Sequence, residues 1–408
     1  MQRFNDKEHN KHWIYLDDNN TPLIIPCLYA KYTTLQGLSI ELKVNKDRIS
    51  NKTEHHFEEV EIGNNGQYVR CNQLGLFLEW VDEQAKSGSS ISLINHTALP
   101  HDIINEYLNT FLIETEGKSE LTVKKALYSL KSYYNWLHKF FDNNYKNIFV
   151  FSSHRELARS NNKQNLLVKY LLPATRELLY RRAGTLLEEI VLRNGGELGC
   201  RTKENQGFLL EDFLANQKKH KGMLSLFSEL VKNPEKDEFT YHLSSLYSKY
   251  GRARTLYIPR PLLEKMKRYY DIERPKSISN HLFISNANNH SKGECISTEY
   301  GSSTFHKVLR KVLYDVDDNL DMYKGYQTLE VGAVYHHLRH SFGTDVFYEE
   351  CRRNGKRYDS ITTESASFIE TARRMGHKVD GRFSNQTTKT YIHSCGDHER
   401  LLAGTANE

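Results

Sequence analysis

The sequence predicts a mainly α-helical chain with a small β-sheet, an α+β fold, in more than one domain. Three observations point there. The run from Ser119 to Phe141 carries apolar residues at helical spacing, and two apolar stretches between Phe239 and Ile258 flank a glycine-containing turn in the manner of a β-hairpin. The length, 408 residues, exceeds what one hydrophobic core usually serves. With 38% hydrophobic and 26% charged residues there is apolar material for real cores, which argues against a disordered chain.

In chain order, residues 1 to 66 form a polar N-terminal extension of open role. Within it, "HWIYLDDNNTPLIIPCLYAKY" reads as a strand, an Asp-Asn turn, a second strand and a helix start, and with the charged, Asn-rich remainder it makes a small β-containing extension of short strands. Residues 67 to 160 read as a helical domain with a linker. Leu74, Leu78 and Val81 share one helix face, and "HDIINEYLNTFLIET" gives a second helix after Pro100. In "SELTVKKALYSLKSYYNWLHKFF", Val123, Leu127, Leu130, Tyr134, Leu137 and Phe141 fall on one face, with Ser119 or Thr122 as N-cap. Lys124, Lys125, Lys131 and Lys139 lie off that face, either as solvated lysines or as a surface for DNA phosphates. The polar "DNNYKN" and "HRELARSNNKQN" supply the linker. Residues 161 to 408 form the last domain. It opens with one long helix, "PATRELLYRRAGTLLEEIVLRNGG", stopped by two glycines, and continues with the hairpin of "FTYHL" and "RTLYI" and further helices after residue 260.

Composition narrows the setting. The net charge of +5 permits a nucleic-acid partner without demanding one. The six cysteines form no CxxC pair, and scattered cysteines in a chain of this size suit a reducing cytosol better than a disulfide framework. The N-terminus lacks the apolar core of a secretory signal and no apolar run is long enough to span a bilayer, so a cytoplasmic protein without a membrane partner is expected.

Chemistry concentrates in "VYHHLRHSFGT", residues 334 to 344. On a helix, His336, Arg339 and His340 share a face. Two histidines four apart can ligate zinc, but the guanidinium between them repels a dication, so no metal is expected. A polar helix face is the bland alternative. A third reading is phosphate: arginine offers a fixed fork of donors to two phosphate oxygens, and a neighbouring histidine exchanges a proton near neutral pH. The set widens along the chain. Arg201 and Glu204 stand in "LGCRTKE" after the glycine break, Lys249 in the hairpin turn, His377 in "RRMGHKV" and Tyr391 in "TTKTYIH".

Arg, Lys, His-x-x-Arg, His, Tyr in this order resembles the tyrosine recombinase, or phage-integrase, family over roughly residues 67 to 395. "GCRTKE" is similar to the family's first-arginine motif, "HHLRHSFGT" to its HxLRH-[ST]-F-x-T motif, "MGH" to its LGH and "TYIH" to its nucleophile motif; residues 67 to 141 resemble its core-binding domain. About 20 more residues than the family usually carries precede the hairpin, which leaves Lys218, Lys219 and Lys221 as substitutes for Lys249, although their neighbours do not read as strands.

The resemblance implies a helical core-binding domain (67–160) and a mixed α/β catalytic domain of the DNA breaking-rejoining type (161–408). It implies a site-specific recombinase or integrase, encoded by a mobile element, that cleaves and rejoins DNA through a 3′-phosphotyrosyl bond. Arg201 and Arg339 clamp the phosphate, His336 serves as base, His377 donates to the phosphate, Lys249 protonates the leaving 5′ oxygen and Tyr391 attacks; Glu204 supports Arg201. No cofactor is needed, and the chain has no Walker motif. Partners are double-stranded DNA and three further copies of the chain on synapsed sites, with nucleoid association when DNA is bound. Lys124, Lys125, Lys131, Arg252 and Arg254 are the expected DNA contacts. The alternatives are a catalytically silent DNA-binding protein of the same fold and a metal-dependent hydrolase.

Overall fold

The computed structural model describes residues 1–6, 12–46, 53–161, 169–248, 251–319, 323–362, 364–377, 395–396 and 399. The chain divides into two compact units, Met1–Asn165 and Leu166–Glu408. It combines many helices with small antiparallel sheets, an α+β fold. Among the described residues no helix is long and apolar enough to cross a membrane.

The first unit opens with β1 (Gln2–Asp6) antiparallel to β2 (His12–Leu16), followed by α1 (Ile24–Lys31). The second strand expected after the Asp-Asn turn is absent: Leu16 makes a single bridge to Pro22, and the partner of β2 is the N-terminal strand instead. Within the extension read as β-containing, β3 (Leu38–Lys46) and β4 (Thr53–Glu61) pair as a hairpin of two nine-residue strands, in which Ser39 and Ile40 are buried. The helices are α2 (Asn64–Lys86), α3 (His101–Glu106), α4 (Glu120–Phe141) and α5 (Ser152–Ser160). α4 begins after Ser119 and buries Val123, Leu130, Tyr134 and Leu137 as its spacing predicts; Phe141 at its end is exposed. Trp13, Tyr15, Tyr29 and Ile40 belong to the same apolar core as α2 and α4, so residues from the N-terminal extension complete the core of the helical region.

In the second unit the long helix expected from residue 173 is two, α6 (Pro173–Arg181) and α7 (Leu186–Glu197). The first ends at Arg181 and Thr185 caps the second, its hydroxyl accepting from the Glu188 N–H at 3.2 Å, and the Glu273 carboxylate takes the Leu186 and Leu187 N–H groups at 2.8 and 3.0 Å. β5 (Phe213–Ala215) and β6 (Lys218–His220) form a short hairpin around Asn216 and Gln217, both left-handed at φ 49° and 61°. Lys218 and Lys219 therefore do lie on a strand; Lys219 pairs with Asp212, and Lys221 just beyond pairs with Glu229. After α8 (Met223–Lys232), β7 (Glu238–Leu243) pairs with β8 (Arg254–Pro259) as the expected hairpin, Phe239 opposite Ile258. Then come α9 (Arg260–Arg268), α10 (Tyr300–Asp318), α11 (His336–Arg353) and α12 (Ala366–Arg374). One core runs through α7, β7, β8, α9 and α10 up to Tyr335 and Leu338 at the start of α11.

Candidate active site

Four segments remote in sequence meet at one buried carboxylate. α7 ends at Glu197 and the chain turns through Gly199, left-handed at φ 61°, where a Cβ would stand 2.4 Å from the Phe342 ring. That turn delivers Arg201 to the head of a 3₁₀ turn over Thr202–Gly207, in which the Glu204 carboxylate caps the Arg201 N–H at 2.9 Å and takes its Nη1 at 2.7 Å. A buried polar chain braces the turn: Asn194 donates to Asn205 at 2.9 Å, Asn205 to the Tyr335 hydroxyl at 3.2 Å, and Tyr335 to the Val191 carbonyl at 2.9 Å. Tyr335 immediately precedes α11, so this chain also fixes where His336 and Arg339 begin.

Arg339 is fully buried. Its Nη1 donates to the Gly199 carbonyl and lies 3.7 Å from Glu204, and its Nη2 donates to the Met375 carbonyl and lies 3.3 Å from the His377 Nε2. His377 is set by the end of α12: Gly376 takes φ 65°, and the His377 N–H returns to the Ala372 carbonyl at 2.8 Å.

The third arginine corrects an expectation. Arg254, read from sequence as a DNA contact, is buried: its Nη2 donates to Glu204 at 2.7 Å and to the Gly199 carbonyl at 3.1 Å, and its Nη1 to the Leu198 and Arg374 carbonyls at 3.2 and 2.6 Å. The signal was in the strand pattern, because Arg254, Leu256 and Ile258 fall on one inward face of β8. A Cβ on Gly376 would stand 2.7 Å from the Arg254 side chain, so this arginine sets how closely the His377 turn approaches. Arg252 is exposed, as are Lys124, paired with Glu120 at 3.0 Å, and Lys125; Lys131 is half-buried. Lys249 and Tyr391 lie outside the described residues.

The electrostatics follow from this geometry. Burial raises the Glu204 pKa, but Arg254, Arg339 and Arg201 outweigh it and hold the group at about 2. Burial and then Arg339 and Arg201 lower His377 to about 3. His336, the exposed member of the cluster, is lowered to about 4, by desolvation and then by Arg339 and Arg201. His340, edge-on to His336 at 4.8 Å, is lowered to about 3 by burial and then His336. Lys169, which the sequence did not single out, adds to the depression of His336, His337 and His340. The imidazoles of His336, His340 and His377 are therefore neutral at pH 7. Three guanidinium charges against one carboxylate leave a surplus of two positive charges. Arg201, partly exposed, and His336 form the accessible side of the cluster, and Arg339 lies behind them.

This arrangement makes stability depend on acid in a defined direction. A carboxyl held at about 2 against its ordinary 4.5 stabilises the fold above pH ~4.5, and that contribution, on the order of 3 kcal/mol, is lost as the pH falls to about 2. The histidines act in the same sense from higher pH, because unfolded imidazoles take up protons near pH 6.5 while the folded ones do so only near 3 to 4. The urea midpoint is expected to fall steadily from pH 6.5 down to pH 3. A flat profile would contradict the cluster's geometry.

Among the described residues no three His, Cys, Asp or Glu side chains come together as a metal-ligand group. No family model matches the sequence, and no curated protein matches it. Solved structures do. The integrase of the transposon Tn1549, in complex with transposon right end DNA, superposes at a TM-score of 0.50 with 14% identity, over 93% of this chain and 99% of that one. The chain has the tyrosine-recombinase fold. The XerH site-specific recombinase bound to its difH substrate aligns over 83% of this chain and 80% of that one, at a TM-score of 0.48 and 15% identity. Within the recombinase fold, the cluster around Glu204 joins the turn after α7, the N-terminus of α11, the end of α12 and the first residue of β8.

Proposed function

We propose that this chain is a site-specific DNA recombinase that cleaves and rejoins DNA strands through a 3′-phosphotyrosyl intermediate. The observation that carries the reading is the convergence of Arg201 and Arg339 on Glu204, with His336 and His377 within reach of both charges. A phosphodiester carries one negative charge and approaches two as a fifth oxygen bonds to phosphorus, and the cluster holds two uncompensated positive charges.

The Tyr391 phenol loses its proton to His336, which is neutral at pH 7 and so able to accept it, and the phenolate oxygen bonds to phosphorus. The bond from phosphorus to the 5′ oxygen breaks, and Lys249 gives that oxygen a proton. Arg201 neutralises the phosphate oxygens from the open side, Arg339 adds its field from behind, and His377 donates to the phosphate through whichever ring nitrogen carries the proton. A 5′ hydroxyl from another strand then reverses the sequence, and the ester energy is conserved without ATP. Synapsis of two sites by four copies, and carriage by a mobile element, belong to the same proposal. The fold neighbour bound to transposon right end DNA supports DNA as the partner.

The test uses the full chain and a pool of nicked duplexes of randomised sequence, in which the released fragment diffuses away and traps the intermediate. A protein–DNA complex that survives denaturant is expected, equally with and without EDTA. Strand cleavage that leaves no covalent complex and is lost in EDTA would indicate a metal-dependent hydrolase, and DNA binding without any cleavage would indicate an accessory protein. Non-covalent affinity is expected to fall by about 10³-fold or more between 50 and 200 mM salt, as for a protein that neutralises six or more phosphates. A shallow salt response would contradict a clamped duplex.

A further inference from the structure

The first unit holds a cavity of about 330 Å³ between the start of β3, α2, the middle of α4 and the segment at residues 145 and 146. Arg70, Lys131 and Lys146 supply cations to its walls, Tyr128 and Tyr145 supply rings, and Glu41 is the one acid among the residues that line it. Its floor is already organised. Arg70 Nε donates to the Ser39 hydroxyl at 3.0 Å, the Ser39 and Ser132 hydroxyls share a hydrogen bond at 2.8 Å, and the buried Tyr29 hydroxyl donates to Ser132 at 2.7 Å.

The charges do not cancel. Glu41 lies 3.5 Å from Lys43 and 3.9 Å from Arg70, so its carboxylate is shared before it reaches either cavity lysine. Lys124 and Lys139 on the same α4 pair with Glu120 and Glu59, at 3.0 and 3.6 Å. Lys131 and Lys146 are half-buried and, among the described residues, neither has a carboxylate partner. Burial lowers the pKa of both, and the Arg155 charge adds to the effect on Lys131. Partly desolvated ammonium groups facing a shared space, without a carboxylate paired to either among the described residues, gain from an anion supplied in solution.

We infer that this cavity binds a phosphate group, held by Lys131 and Lys146 over Arg70 and flanked by the rings of Tyr128 and Tyr145. Three cations against one carboxylate leave two positive charges, which matches a phosphate ester. A tetrahedral anion can also meet donors on three walls at once, as two coplanar carboxylate oxygens cannot. Free nucleotides and the DNA backbone both offer this group. The inference does not depend on strand cleavage, because every residue in it belongs to the first unit.

The test titrates the full chain with inorganic phosphate, with adenosine monophosphate and with a duplex, by calorimetry, beside the double variant K131Q/K146Q and the control K118Q, whose lysine pairs with Glu116. The double variant is expected to lose about 10-fold or more in affinity for the ligand the site serves, and the control none. A loss for the mononucleotide alone identifies a free phosphate ester. A parallel loss for the duplex, with the mononucleotide competing against it, identifies the DNA backbone. Without ligand the double variant should melt no lower than the wild type, since the lysines it removes pair with no carboxylate among the described residues. Equal affinities in variant and wild type for all three ligands, no binding of any of them, or a large drop in ligand-free stability would each overturn the inference.

Discussion

Glu204→Ala is expected to lower the stability of the second unit by about 3 to 5 kcal/mol, the cost of leaving buried charges without their partner. Arg201 and Arg254 each lose a hydrogen bond of 2.7 Å to the carboxylate, and Arg339 loses the anion 3.7 Å from its Nη1. Three guanidinium groups then face one another in a site where Glu204 and Arg339 are almost wholly hidden from solvent. The 3₁₀ turn also loses the cap on the Arg201 N–H. In thermal melting the shift should be on the order of 10 °C for a unit of this size. Glu204→Gln keeps the shape and one acceptor without the charge, and should fall between the two. A melting curve that matches wild type for the alanine variant would show that the arginines are held by something other than this carboxylate.

Arg339→Ala is expected to reduce covalent complex formation by about 10³-fold while leaving most DNA affinity intact. The side chain is completely buried and bridges the Gly199 and Met375 carbonyls, so its loss removes both charge and the tie between the Arg201 turn and the His377 turn. Arg339→Lys separates the two effects. An ammonium keeps the charge but cannot reproduce a planar fork to two carbonyls on opposite sides, so the lysine variant should recover only a small part of the rate. Unchanged cleavage in the alanine variant would refute the role given to Arg339, and a parallel loss of DNA binding would mean that the second unit had misfolded.

The parts of the fold legible in sequence are those where local pattern and tertiary packing agree. α4 and the β7–β8 hairpin show their periods plainly because one face of each is apolar. The β3–β4 hairpin shows its period only in part: Leu38, Ile40, Leu42 and Val44 alternate along β3, whereas β4 carries four glutamates and two histidines in nine residues, with Phe57 partly buried against the core. The β5–β6 hairpin is not legible because its strands have three residues and Gln217, rather than glycine, adopts the second left-handed position. The break between α6 and α7 rests on Glu273, about 85 residues further along, which completes the cap begun by Thr185. At the candidate site the motifs named Arg201, Glu204, His336, Arg339 and His377, and the structure brings these together. Arg254 was assigned to the wrong surface: its positive charge suggested DNA, while its position on the inward face of β8 required a buried partner, and Glu204 is that partner. Lys169 could not be found from sequence, because its effect on the histidines comes from packing and not from any motif.

The central claim is that the charge cluster around Glu204 serves a tyrosine nucleophile. The direct measurement is mass spectrometry of the peptide that carries DNA after trapping on a nicked duplex. A nucleotide 3′-phosphate esterified to Tyr391, absent in Tyr391→Phe with DNA binding retained, is the predicted result. An adduct on any other residue, or an adduct that persists in the phenylalanine variant, would contradict the account.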